Sequence, residues 1–111
     1  MNEKSFVYAD EKFADLQLLR YQLVNFESLT IQQKKYIYYL SEATLVGRDI
    51  TTDQNGIYNL DIRKCLEALL TNEQIDKTSA HYGAMEVYLK RLWFSNGIYH
   101  HYGCDKFVPG F

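Results

Sequence analysis

Two adjacent histidines and a nearby cysteine are the residues of this chain whose types and spacing suggest chemistry. His100 and His101 precede Cys104, and imidazole and thiolate groups are preferred ligands of zinc. A tetrahedral site needs a further ligand, from His81 or a carboxylate, and the spacing does not supply one. A Cys104 nucleophile activated by His101 would need an orienting residue and oxyanion donors, and neither can be named. We therefore expect a polar loop at the edge of a cleft, with no catalytic residue and no metal ligand.

Aromatic residues surround these side chains and are unusually frequent in the whole chain. The sequence has ten tyrosines and six phenylalanines among 111 residues. Tyrosine favours half-buried surfaces, because its ring packs while its hydroxyl needs a partner. This composition suits an interface or a ligand groove, and it equally suits a small core rimmed by tyrosines. The net charge of −2 gives no basic field, so nucleic acid is not an expected partner.

The elements that must position this loop are predicted to be helical. Hydropathy indicates an all-α fold, a small domain of about four helices with long loops. A short first helix is predicted near 11–20, after a flexible or extended segment 1–11. The second helix is expected to begin at Thr30, which forms a capping box with Gln33. It should end near residue 46, with Gly47 in the left-handed position that follows a last helical turn.

The second half of the chain has the clearer periodicity. Residues 48–58 are polar, and Asn55-Gly56 predicts either a small hairpin or a plain loop there. Asn59 or Asp61 should cap a third helix that ends near residue 71, because apolar residues then recur at helical spacing. A fourth helix is predicted over about 78–95, and Asn96-Gly97 should terminate it.

The two cysteines and the termini bear on the compartment. Cys65 falls on the apolar stripe of the third helix and is predicted to be a buried thiol, while Cys104 lies in the polar loop. The sequence leaves open a disulfide between them, although two cysteines do not make a disulfide scaffold. Because no signal peptide, transmembrane run or lipidation motif is present, we expect no membrane association. The expected compartment is the cytoplasm, or the periplasm if a signal segment has been removed.

The C-terminal run Phe107-Val-Pro-Gly-Phe111 is hydrophobic up to its last residue. A natural domain seldom ends by presenting such a run to solvent. We therefore expect residues 1–111 to form a single domain that is a fragment of a larger protein.

An ordered set of short stretches resembles the N-terminal part of dipeptidyl peptidase III, most closely in its Bacteroides-like bacterial members. This family comprises zinc exopeptidases that remove dipeptides from the N-termini of peptides. The similarity covers nearly the whole chain, but only the N-terminal portion of a family member, and its most specific part lies within 95–109. The stretches are Tyr36-Ile-Tyr-Tyr-Leu-Ser-Glu-Ala43, Gly47-Arg-Asp49, Val87-Tyr-Leu-Lys-Arg91, Phe94-Ser-Asn-Gly97, Tyr102-Gly103 and Asp105-Lys-Phe-Val-Pro109.

The resemblance implies a role in substrate binding and not in the chemistry. The family's zinc motif, His-Glu-x-x-Gly-His, does not occur in this chain, so the zinc is expected in a second lobe of the parent enzyme. This chain would belong to the lower lobe of the two-lobed enzyme and form one wall of the cleft. Its partners would be the remainder of the peptidase and short peptide substrates. In the family, an aromatic residue at the position of Tyr102 lines the pocket for the substrate's N-terminal residue. The resemblance therefore implies substrate contacts by Tyr102 and, less specifically, by its neighbours Asn96, Gly97, His101 and Gly103.

A second interpretation belongs to a different functional class. A free-standing helical interaction module, with the tyrosine-rich loop docking a partner protein, would have the same sequence features. The coding sequence beyond Phe111 distinguishes the two interpretations, because only the peptidase requires a zinc motif downstream.

Overall fold

The computed structural model describes residues 5–110, which form two compact units that divide between Leu45 and Val46. The predicted flexible segment 1–11 lies partly outside the described residues, and its last residues belong to a strand that begins at Ala9. Phe111, on which the expectation of a fragment partly depends, also lies outside them.

The first unit contains an antiparallel hairpin of strands β1 (Ala9–Phe13) and β2 (Leu16–Leu19). Phe13 pairs with Leu16 across a two-residue turn in which Ala14 has a φ of 51°. The side-chain amide of Gln17 donates to the carbonyl oxygen of Asp10 at 2.9 Å and supports the turn. The predicted helix near 11–20 is therefore wrong.

The all-α fold class predicted from the sequence is wrong for the same reason. The described residues contain three long helices, one seven-residue helix and this two-stranded sheet. Phe13, Leu16 and Leu19 do have helical spacing, but Leu16 and Leu18 are the more buried positions of β2, in the alternation of a strand. Among the residues of this unit that the structure describes, the buried apolar one is Phe13 of the hairpin, which is 8% exposed.

Helix α1 (Ile31–Val46) begins as the sequence predicts. The hydroxyl oxygen of Thr30 accepts from the Gln33 backbone N–H at 3.2 Å, and the Gln33 side-chain oxygen accepts from the Thr30 N–H at 3.0 Å. This reciprocal pair is the predicted capping box, which satisfies two donors that the first turn leaves unpaired. None of the described residues of α1 is buried.

The second unit is built from α2 (Arg48–Gln54), α3 (Asn59–Thr71) and α4 (Ala80–Ser95). The prediction of a hairpin or plain loop over 48–58 is wrong for residues 48–54, which are helical. Gly47 has φ −75° and ψ −8°, not the predicted left-handed conformation, because it is the one residue between α1 and α2 and keeps a near-helical backbone.

Helices α3 and α4 lie where the sequence predicts them. Helix α3 begins at Asn59, but Tyr58 occupies its N-cap position and no side chain caps it, so the prediction of a cap at Asn59 or Asp61 is wrong. Helix α4 begins after Ser79, whose hydroxyl oxygen accepts from the Tyr82 N–H at 3.1 Å. The apolar core of this unit consists of residues from α4 together with one residue near the C-terminus: Met85, Leu89, Leu92 and Phe107.

The residues that α3 buries most deeply are polar and do not belong to its apolar stripe. Asn59 and Arg63, one turn apart, are its buried residues, whereas Cys65 is exposed and Leu69 is 37% exposed. The prediction of a buried thiol at Cys65 is therefore wrong. Helix α3 contacts both α2 and α4, and its polar face makes the interactions with α2 that bury Arg63.

Candidate functional site

The candidate site begins where α4 ends. Asn96 adopts the left-handed conformation (φ 54°, ψ 38°), and the backbone N–H groups of Asn96 and Gly97 both donate to the carbonyl oxygen of Leu92. This pattern closes the helix and turns the chain sharply, as the Asn-Gly pair predicts. The following residues are thereby placed next to the start of α3.

Residues 98–107, here named the aromatic loop, form a short hairpin-like structure. The Phe107 N–H donates to the Ile98 carbonyl oxygen at 2.7 Å, and the His100 N–H donates to the Asp105 carbonyl oxygen at 2.7 Å. Between these bonds, Tyr99 and Lys106 form an antiparallel bridge. Buried Phe107 anchors the loop to the apolar core, so its tip is held at both ends.

His100 organises the tip of the aromatic loop through its ring. Its Nδ1 accepts from the backbone N–H groups of Tyr102 at 3.1 Å and Gly103 at 3.0 Å. A nitrogen that accepts two hydrogen bonds carries no proton, so this network assigns the ring proton of the neutral form to Nε2. The imidazole therefore fixes the turn in which Tyr102 is presented.

Aromatic rings cover one side of this turn. The His101 ring stacks on His100 with centroids 4.4 Å apart, meets Phe94 edge-on at 5.2 Å and lies 5.1 Å from Tyr102. Tyr102 itself is 87% exposed. Its ring therefore keeps most of its surface free for a ligand.

Asn59, at the first position of α3, connects that helix to the aromatic loop. Its side-chain oxygen accepts from the Ile98 N–H at 3.1 Å, and the residue is 1% exposed. A Cβ added at Gly56 would lie 2.8 Å from Asn59 Nδ2, and one added at Gly97 would lie 2.9 Å from Asn59 Cγ. The two glycines therefore leave the space that the Asn59 amide occupies.

The two Asn-Gly pairs of the chain meet at this point. The Asn55 side-chain amide donates to the Asn96 carbonyl oxygen at 3.1 Å. Asn59 was not predicted as a site residue. Only one sequence signal could have indicated it: the Asn-Gly pair occurs twice, and α3 starts three residues after the first pair.

A cavity of about 560 Å³ lies beside Asn59. This volume is within the range of about 300–1,000 Å³ that small-molecule sites occupy. Apart from one glycine, the described residues that line it have polar or aromatic side chains, and none is an aspartate, glutamate, lysine or arginine. They are Asn55, Asn59, Ser95, Asn96, Gly97, Tyr99, His100, His101 and Cys104.

Two polar groups at this cavity have weak or missing partners. Asn59 Nδ2 is buried and has no hydrogen-bond acceptor within residues 5–110. Ser95 Oγ and His101 Nδ1 are 3.4 Å apart, which is long for a hydroxyl–imidazole hydrogen bond. A buried donor without an acceptor costs about 1–3 kcal/mol.

The predicted site residues divide between the cavity and the loop tip. Asn96, Gly97 and His101 line the cavity, whereas Tyr102 and Gly103 lie on the turn beside it. Over residues 5–110, no three histidine, cysteine or acidic side chains come together as metal ligands would.

An ion-pair network holds together the helices that carry the cavity. Arg63, 4% exposed, donates from Nη1 to the Thr52 hydroxyl oxygen at 3.0 Å and from Nη2 to Asp49. Its Nε lies 3.3 Å from Glu67 Oε1, which also accepts from Trp93 Nε1 at 2.8 Å. The hydrogen bond from the Arg63 guanidinium lowers the pKa of Asp49 below its ordinary value. Helices α2, α3 and α4 are thus joined around one arginine.

No protein-family model matches the chain, and no curated protein matches it either. Within residues 5–110, every helix is too short or too polar to cross a lipid bilayer.

Proposed function

We propose that this chain is the N-terminal, substrate-binding part of a zinc-dependent dipeptidyl peptidase of the dipeptidyl peptidase III family. The proposal rests on the ordered similarity of its short stretches, above all between 95 and 109. The observation that carries it is the exposure of Tyr102, 87%, on a turn held by hydrogen bonds to His100. In this proposal, the Tyr102 ring packs against the N-terminal residue of a peptide substrate.

The hydrogen bonds that hold the turn support a binding role for Tyr102. A backbone that is already ordered loses little conformational freedom when a ligand arrives, so more of the contact energy contributes to affinity. Positioning a substrate in this way can account for a large part of a rate enhancement. The partners in this proposal are short peptides and the remainder of the peptidase, in the cytoplasm or, after removal of a signal segment, in the periplasm.

The residues of this chain do not fit the zinc of such an enzyme. The zinc motif of the family is missing from the sequence, and the part of the chain that the structure describes brings no ligand set together. The share of this chain in the reaction is therefore the binding and orientation of the peptide.

Two experiments test the peptidase proposal. The coding sequence should continue in frame beyond Phe111 to a His-Glu-x-x-Gly-His motif. The purified 111-residue chain with added zinc should not release dipeptides from a dipeptidyl-arylamide. Cleavage by the chain alone, or a stop codon directly after Phe111, contradicts the proposal.

The role of Tyr102 is tested in the full-length peptidase. Tyr102→Ala should raise KM for a tetrapeptide by about tenfold, because one aromatic contact of about 1.4 kcal/mol is lost. Tyr102→Phe should keep the affinity, since it retains the ring. Tyr58→Ala, which removes another tyrosine that is 67% exposed, is the matched control and should leave KM unchanged. An unchanged KM in Tyr102→Ala would exclude the proposed contact.

A second candidate function, a protein-interaction module, is favoured by one observation on α1. The helix has tyrosines exposed on adjacent turns, with Tyr36 66%, Tyr38 59% and Tyr39 68% exposed. Tyrosine is enriched in protein interfaces. If the coding sequence stops after Phe111, Tyr39→Ala should weaken capture of a partner protein by the purified chain, and unchanged capture would contradict this function.

A further inference from the structure

Helix α1 presents a surface that the described part of the chain leaves uncovered. None of its described residues is buried, and Ile31 and Leu45, near its two ends, are 73% and 63% exposed. Most of the stability of a helix in a protein comes from the packing of one face. The exposure of α1 therefore indicates a face that packs on another surface.

One side of α1, here named the α1 face, combines apolar, aromatic and charged side chains. Its members recur at the spacing i, i+4, i+7, i+8, i+11 and i+14, which places them on the same side of a helix. At its centre, the rings of two tyrosines meet edge-on with centroids 5.3 Å apart. The six residues are Ile31, Lys35, Tyr38, Tyr39, Glu42 and Leu45.

The two charges of the α1 face are placed symmetrically. Lys35 is the fifth residue of α1, and Glu42 is the fifth from its end, so a twofold axis through the midpoint of the helix exchanges their positions. Both side chains are exposed, and neither forms an ion pair within residues 5–110. A facing surface can therefore pair both charges.

A second copy of α1, packed in the antiparallel orientation, provides such a surface. The twofold axis brings Lys35 of each copy opposite Glu42 of the other. It also brings Ile31 of each copy to the last helical turn of the other, beside Leu45. Parallel packing would instead place like charges opposite each other, which is repulsive. The α1 face is thus self-complementary in the antiparallel orientation, as a twofold-symmetric interface requires.

We propose that the α1 face binds a second copy of this chain, so that two copies form an antiparallel homodimer. The tyrosines of both copies pack at its centre, and a Lys35–Glu42 ion pair lies on either side of them. A helix of 16 residues is about 24 Å long, and a contact of this length falls at or below the roughly 1,200 Å² at which stable interfaces begin. We therefore expect a weak, reversible dimer with a dissociation constant of the order of 100 μM. The proposal does not depend on the peptidase function.

Sedimentation equilibrium of the purified 111-residue chain tests the dimer. As the concentration rises from about 10 to about 500 μM, the weight-average mass should increase from 13.1 kDa towards twice that value. Tyr38→Ala should weaken self-association by about tenfold, because each copy loses one aromatic ring at the centre of the interface.

Charge reversals test the orientation of the two copies. Lys35→Glu and Glu42→Lys should each weaken self-association by about tenfold or more, because like charges then face each other twice. The double variant Lys35→Glu/Glu42→Lys has opposite charges across the axis again and should dimerise like the unchanged chain. An equimolar mixture of the two single variants should also associate, since each supplies the charge that the other lacks. Lys77→Glu, which changes an exposed lysine between α3 and α4, is the matched control and should leave the dimer unchanged.

The charge reversals should leave α1 itself folded. Lys35→Glu moves negative charge towards the N-terminus of the helix, and Glu42→Lys moves positive charge towards its C-terminus. The helix dipole favours both changes. Circular dichroism should therefore show unchanged or higher helicity in each variant, so that a loss of the dimer reports on the interface.

Three results would overturn the proposal. The first is a mass of 13.1 kDa at every concentration, which would leave the α1 face to the remainder of the proposed peptidase or to another protein. The second is a dimer that the folded Lys35→Glu variant retains as well as Lys77→Glu does. The third is a double variant that associates no better than the two single variants, which would exclude the antiparallel orientation.

Discussion

Replacement of Arg63 by methionine should destabilise the second unit, because this one side chain joins three helices. Arg63 is 4% exposed and bonds to Thr52 and Asp49 of α2, while its Nε lies 3.3 Å from Glu67 of α3. Glu67 in turn accepts from Trp93 of α4. Methionine has similar length and fills the same space, so the change removes the charge and the donors without leaving a large void.

The magnitude follows from the burial of the partners. Thr52 is 1% exposed, and the loss of its hydrogen bond from a charged donor costs about 1.5 kcal/mol. Glu67 loses one of two cationic neighbours, and its partial exposure limits that cost to about 0.5–1 kcal/mol. The Asp49 carboxylate can hydrogen-bond to water instead, so its contribution to the loss of stability is small. The expected decrease in the free energy of unfolding is therefore about 2 kcal/mol, a large part of the stability of a small domain.

Trp93 provides the assay because it is the only tryptophan of the chain and lies in the network itself. Urea unfolding at pH 7, followed by its fluorescence, reports the second unit. Arg48→Met is the matched control. Arg48 also lies near Asp49 and Glu67, at 3.9 and 3.5 Å, but its side chain is 56% exposed. Its loss should cost less than about 1 kcal/mol.

Equal effects of the two arginine variants would refute the reasoning, since burial is the property that separates them. A neutral Arg63→Met variant would refute it as well. It would mean that desolvation of the guanidinium had cancelled the gain from its bonds in the native protein. A reduced slope of the unfolding transition would instead indicate that the native state of the variant is already partly open.

Three further outcomes are expected. The hydrogen bond from Arg63 lowers the pKa of Asp49, so the ionised Asp49 stabilises the native state above about pH 4, and this stabilisation is lost as the pH falls through the lowered pKa. Urea midpoints measured from pH 6 to 3 should therefore fall less steeply in Arg63→Met than in the unchanged chain. Parallel curves would exclude this linkage. Ser79→Ala removes the oxygen that accepts from the Tyr82 N–H and should lower the free energy of unfolding by about 1 kcal/mol, whereas Ser79→Asp should retain it. Gly83→Ala should raise the free energy of unfolding by about 0.5–1 kcal/mol in the same urea experiment, because Gly83 is exposed within α4 and an added Cβ would meet no neighbouring part of the fold within 4 Å. A decrease would show that the backbone there is strained.

The helices with strong local signals could be predicted from the sequence. The Thr30–Gln33 capping box and the Asn96-Gly97 stop are each determined by a few neighbouring residues, and the structure confirms both. Local hydrogen bonds of this kind depend little on the rest of the fold. Prediction therefore succeeded at these two helix ends, where the deciding partners are close in sequence.

The hairpin was missed because its turn carries no recognisable signal. A two-residue turn with a positive φ normally uses glycine or asparagine, and here Ala14 occupies that position. Leu16 and Leu18 alternate over only four residues of strand, too short a run to outweigh the helical spacing of Phe13, Leu16 and Leu19. Strand is favoured over helix here by the pairing of β1 with β2 across the turn, and a hydrophobic pattern along the sequence does not reveal such pairing.

Asn59 shows why the candidate site was only half predictable. At a helix start, asparagine is ordinarily explained by capping of its own helix. In the structure, its side-chain oxygen instead bonds to Ile98, 39 residues away. Gly56 and Gly97, which local turn geometry seemed to explain fully, also make room for this amide. Because the Asn59 side chain bonds to the aromatic loop and does not cap α3, a substitution there should alter the loop while α3 remains helical.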